Sequence, residues 1–135
     1  NPSLETTEWG WQIDPIGLRI AAHKFFDRYR KPVMVAENGL GARDNVDSDG
    51  RIRDDYRISY FERHMAQAEL AAREGVDIEA YFVWGIIDIV SAGSCEMEKR
   101  YGVVYVDADN EGRGTYRRLP KDSFYWYRDF IASHR

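Results

Sequence analysis

Val33-Met34-Val35-Ala36-Glu37-Asn38-Gly39 is an apolar, strand-type run that ends on a carboxylate. A buried strand that delivers one Glu at its C-terminal end, with Asn-Gly turning the chain away, is how α/β barrels present catalytic acids. Hydrolysis of a glycosidic bond needs two such carboxylates. No second carboxylate of this sequence sits in a comparable setting, so the chain is expected to be the later part of an enzyme, with half of a catalytic pair. Taken alone, Glu37 also fits a structural ion pair at a strand end.

The elements that must position Glu37 are legible on both sides of it. Asp14-Pro15 predicts a helix start, since Asp caps free N–H groups and Pro is tolerated in the first turn. Leu18, Ala22, Phe25, Phe26 and Tyr29 then recur at helical spacing as one apolar face, and Pro32 ends the helix. The strand 33–36 is apolar on both faces, as expected of a parallel strand covered on each side. Residues 38–54 read as a long loop. A second helix is predicted over 55–74, with Ile58, Phe61, Met65, Ala68 and Ala72 on one face and Gly75 as its stop. A strand over 78–84 follows, then a loop over 86–100 in which Ile86 to Val90 form one helical turn. A short strand at 103–106, a turn at 111–114 and a helix over 121–132 burying Phe124, Tyr127 and Ile131 complete the chain. Helix, strand, helix, strand, helix describes βα units of a parallel sheet, with long loops after the strand C-termini, where such folds place their sites. A complete barrel needs about 250 residues, so the expected fold is the C-terminal portion of a (β/α)8 TIM barrel, residues 1–135 forming part of a single domain.

Composition narrows the class. Of the 135 residues, 44% are hydrophobic and 14% aromatic, and the aromatic share suits a carbohydrate site as well as a core. A net charge of −4 favours neither nucleic acid nor an anionic membrane. The single cysteine, Cys95, excludes an internal disulfide framework and fits a reducing cytoplasm. No apolar run reaches the length of a bilayer span. The start at Asn1-Pro2 rather than Met suggests cleavage, truncation or missing upstream sequence.

Val35-Ala36-Glu37-Asn38-Gly39 resembles the nucleophile motif of glycoside hydrolase family 1, the β-glucosidase family. Trp9-Gly10-Trp11-Gln12-Ile13-Asp14-Pro15-Ile16-Gly17-Leu18 is similar to that family's segment ahead of the preceding helix. Tyr81-Phe82-Val83-Trp84-Gly85 resembles its last barrel strand, and Lys99-Arg100-Tyr101-Gly102 its closing loop. Four matches in order cover nearly the whole chain. The resemblance implies a retaining hydrolase in which Glu37 attacks the anomeric carbon and Trp84 is a sugar platform, with no cofactor. The family's acid/base Glu lies in an Asn-Glu-Pro motif that this sequence lacks, so the chain alone is expected not to turn over substrate.

Where ordinary β-glucosidases of the family carry a sugar-binding Glu, this sequence reads Asp88-Ile89-Val90-Ser91-Ala92-Gly93. Ser91, Lys99 and Tyr101 match the phosphate-binding set of the 6-phospho-β-glycosidase branch. A sugar phosphate brings about −1.5 to −2 charges and a Glu would repel it; a small hydroxyl removes that repulsion and adds a donor. Galactosidase members tend to place Trp after the Ser, so Ala92 favours the glucosidase side. The implied substrate is a phosphorylated β-glucoside; an unphosphorylated β-glucoside, or a non-catalytic partial-barrel module, is the alternative. The implied partner is the remainder of the barrel, or further copies of the chain as an oligomer.

Each residue also has a plainer reading. Trp84 could fill the barrel mouth, Tyr101 could be an ordinary loop aromatic, and Glu98-Lys99-Arg100 could be a solvated charge cluster. Asp44, Asp47 and Asp49 lack the closing Glu of a calcium loop and read as a solvated turn. His23 and His64 fall on or beside helix faces as packing or surface residues, and no spacing suggests a metal site.

Overall fold

A computed structural model describes residues 1–134. Its elements are α1 (Pro15–Tyr29), β1 (Val33–Asn38), α2 (Asp55–Arg73), β2 (Ile78–Val83), β3 (Val104–Val106), β4 (Arg118–Pro120) and α3 (Asp122–Ser133). They fall into two compact units, residues 1–38 with 59–83 and residues 39–58 with those from 84 onward.

In the first unit Asp14 caps α1 as predicted, its Oδ1 accepting the Gly17 N–H at 2.8 Å. Arg30 ends the helix in the left-handed region and donates its N–H to the Phe26 carbonyl at 2.8 Å. The chain enters β1 and returns along β2, parallel to it, with Val33 opposite Ile78 and Val35 opposite Tyr81. Parallel neighbours need a crossover, and α2 belongs to it. Ala22, Ala71 and Val76 form one buried cluster, with Phe26, Val33 and Ile78 packed against it.

Several apolar faces are barer than the periodicity predicts. Phe25 and Tyr29 of α1 are more than half exposed, and Ala71 rather than Ala72 is buried on α2. β1 is not covered on both faces: Met34 is 51% exposed, as is Phe82 of β2. The physical reason is the sheet itself. Two parallel strands are a fraction of the eight that close a barrel, so faces patterned for burial meet solvent here.

In the second unit β3 and β4 pair antiparallel, Tyr105 opposite Leu119. β4 leaves no signal in the sequence, because Arg118-Leu119-Pro120 is too short to show alternation. The predicted helical turn at 86–90 is absent. The Ile86 carbonyl instead accepts the N–H groups of Val103 and Val104 at 3.1 and 3.0 Å, and Ile87 makes an isolated parallel bridge to Val104, so that backbone pairs with the segment leading into β3. α3 leaves Ile131 exposed and Phe124 and Tyr127 partly buried, against the burial predicted for all three. Among the described residues no helix is long and apolar enough to cross a membrane.

Candidate active site

Glu37 stands next to the end of β1 in the first unit, with its side chain exposed. Its neighbour Asn38 ties the strand end down: the Tyr81 hydroxyl donates to Asn38 Oδ1 at 2.5 Å. Burial pushes the Tyr60 phenol above its ordinary value, and a hydrogen bond with Asn38 works the other way. Polar side chains thus hold the residue after Glu37, while Glu37 keeps its carboxylate open.

The second unit brings together the other four candidates. Ser91 is fully buried, and its Oγ lies 2.9 Å from the Tyr101 hydroxyl. The Ser94 N–H donates to the same Oγ at 3.3 Å, and Cys95 N–H to the Ser91 carbonyl at 2.8 Å, closing a tight loop. Lys99 is only 4% exposed, its Nζ 5.7 Å from the centroid of the Tyr101 ring, within cation–π range. Trp84 meets the same ring edge-on, centroids 6.0 Å apart and planes at 70°. Gly85 makes this possible: it has φ +75°, and a Cβ there would lie 3.1 Å from Tyr101 Cβ. Two hydroxyls and an ammonium thus gather about one aromatic ring, a set of groups able to donate hydrogen bonds to an anion. Lys99 is not part of a solvated cluster; of Glu98, Lys99 and Arg100, only Glu98 is exposed.

Behind these residues lies a buried network with three cations and three carboxylates. Arg57 is fully buried and reaches Asp54 at 3.0 Å and Asp44 at 3.3 Å. Its Nη1 donates to the carbonyls of Leu40 and Tyr101 at 3.0 Å, and its Nη2 to that of Arg100 at 3.2 Å. Lys121 Nζ lies between Asp44 and Asp88, at 2.6 and 2.8 Å. Asp88 also takes Arg100 at 3.2 Å and the Gly102 N–H at 2.8 Å. Burial lowers the Lys121 pKa, helped by the Arg57 charge and opposed by Asp44 and Asp88. Burial raises that of Asp54, opposed by two hydrogen bonds from Ser123. Buried charges demand pairing of this kind.

The sequence reading missed this network. Asp47 and Asp49 do pair with the exposed Arg53 in a surface turn, but the Asp44 side chain is wholly buried. One signal was available. Arg57 stands four residues before Phe61, at the head of the apolar row of α2, where a charge must find partners. Among the described residues no group of three or more His, Cys, Asp or Glu could hold a metal ion.

The sequence profile of glycosyl hydrolase family 1 matches residues 1–135. An aryl-phospho-β-D-glucosidase of Bacillus subtilis (strain 168) is 54% identical over 134 residues, 99% of this chain and 29% of the relative. A phospho-cellobiase of Klebsiella oxytoca is 53% identical over the same shares of each chain. The solved family 1 β-glucosidase of Thermotoga maritima superposes with a TM-score of 0.86 at 37% identity, over 96% of this chain and 28% of that one. The chain therefore spans less than a third of the length of these relatives.

Proposed function

This chain belongs to glycosyl hydrolase family 1, and on that premise we propose that it is the nucleophile-bearing and phosphate-binding part of a retaining 6-phospho-β-glucosidase, within one TIM-barrel domain. Glu37 attacks the anomeric carbon, the aglycone leaves with a proton from an acid/base Glu carried elsewhere in the barrel, and water then hydrolyses the glycosyl ester. Without that second carboxylate, this part alone is inactive. Trp84 offers an aromatic face to the sugar ring. The Ser91 and Tyr101 hydroxyls and the Lys99 ammonium hold the 6-phosphate, giving charge and hydrogen bonds to a dianion.

The observation that carries the reading is the buried Ser91–Tyr101 hydroxyl pair at 2.9 Å with the Lys99 ammonium beside the same ring. A neutral sugar needs no such charge at this position. The relatives named for phosphorylated β-glucosides, at 54 and 53% identity, support the same substrate class. The test is a complete barrel in which this chain replaces the matched stretch of the Bacillus subtilis relative, assayed on nitrophenyl β-glucoside with and without the 6-phosphate. We expect a strong preference for the phosphorylated substrate. Ser91→Glu should depress that activity far more than activity on the plain glucoside. Equal losses, or none, remove the phosphate argument, and full activity in Glu37→Gln removes the nucleophile.

A further inference from the structure

We propose that Gly41, through the space its missing side chain leaves, is a positioning residue that sets where the Lys99 ammonium lies and so determines the preference for phosphorylated substrates; this rests on the phosphate-binding reading above. A Cβ at Gly41 would lie 2.6 Å from Lys99 Cγ, 2.9 Å from Lys99 Cε and 3.2 Å from Tyr101 Cε1. The Lys99 stem therefore runs directly over Gly41, in contact at two points along its length.

Neither side can move aside easily. Ala42 and Arg100 exchange N–H···O=C bonds at 3.0 Å in both directions, which fixes the backbone next to Gly41 against the backbone next to Lys99. Arg57 donates to the Leu40 carbonyl on the other side of Gly41 and to the Arg100 and Tyr101 carbonyls beyond Lys99. Asn110 Oδ1 accepts the Met97 and Glu98 N–H groups at 2.8 and 3.0 Å, holding the approach to Lys99. With both backbones pinned and Lys99 buried, an added methyl has to displace the Lys99 stem at Cγ, near its root. An ammonium is a point charge on a flexible stem, and its position depends on where that stem is packed. Gly41 touches no substrate in this reading; it acts through Lys99.

The experiment is a double-variant cycle in the complete hybrid barrel, reading kcat/KM for the phosphorylated glucoside divided by that for the plain one. Gly41→Ala is expected to lower this ratio at least fivefold, mainly through KM for the phosphorylated substrate. In the Lys99→Ala background, where Cγ and Cε are gone, the same substitution should change the ratio less than twofold. A fall below fivefold in the parent, or an equal fall in both backgrounds, overturns the assignment. Should Gly41→Ala fail to fold, recovery of folding in the Gly41→Ala, Lys99→Ala double variant supports the contact, and failure of the double variant overturns it. A parent ratio near one overturns the phosphate-binding reading itself; a high parent ratio insensitive to Gly41→Ala overturns only the role of Gly41.

Discussion

Replacing Asp88 by Asn should be among the most damaging conservative changes in this chain, although it removes no atom from the candidate site. Asp88 Oδ1 accepts Lys121 Nζ and the Gly102 N–H, each at 2.8 Å, and Oδ2 faces Arg100 Nη1 at 3.2 Å. Its side chain is wholly buried. An amide keeps one acceptor but turns N–H groups toward a cation and leaves the six-charge network with a net positive charge. Breaking a buried pair by removing one partner costs about 3–5 kcal/mol. At about 2 kcal/mol per molar urea that lowers the unfolding midpoint by roughly 1.5–2.5 M. The comparison is Glu98→Gln, which loses the Arg43 contact at 3.6 Å between side chains 52 and 47% exposed. Exposed pairs contribute about 0–1 kcal/mol, so its midpoint should move by less than about 0.5 M. Urea unfolding followed by tryptophan fluorescence reads both, since Trp84 packs against Tyr101 in the same unit. An Asp88→Asn midpoint no lower than that of Glu98→Gln would refute the claim that buried pairing holds these loops.

Two further outcomes follow from the other unit and from the bare faces. His64 is 3% exposed, stacked on Tyr60 with centroids 3.9 Å apart, and burial lowers its pKa against the Nδ1–H bond to the Tyr60 carbonyl. Below about pH 6.5 the unfolded chain therefore binds more protons than the folded one, and stability drops as pH falls through that range by up to about 1.4 kcal/mol per unit; urea midpoints at pH 7.5 and 5 should separate more in the wild type than in His64→Phe, and equal separations count against it. The half-exposed Met34 and Phe82 and the two-stranded sheet predict association with a complementary barrel piece or with further copies; native mass spectrometry showing only the 15.7 kDa monomer at micromolar concentration would contradict that.

Local chemistry made much of this protein legible in its residues. The Asp14 cap, the Gly75 stop and the strand-type runs at 33–36 and 78–84 are local signals, and each element appears there with its end shifted by no more than two residues. Four motifs in order suffice to point to the family, and the resemblance alone groups Ser91, Lys99 and Tyr101 as a set. The burial of that set was not legible. Glu98-Lys99-Arg100 has the composition of a surface cluster, and only long-range partners decide that Lys99 and Arg100 are inside. Asp44 and Asp49 look alike in sequence; one faces Arg57 and Lys121 in the interior, the other faces Arg53 in solvent. The pairing of Asp88 with Lys121, 33 residues away, and of Asp44 with Lys121, 77 residues away, leaves no trace in any local window. Nor does the fit of Lys99 over Gly41, because a glycine needed for clearance reads the same as one needed for a turn. Short-range capping and periodicity are written into neighbouring residues; which charges are desolvated together, and which missing side chain makes room for another, is decided only when distant segments pack.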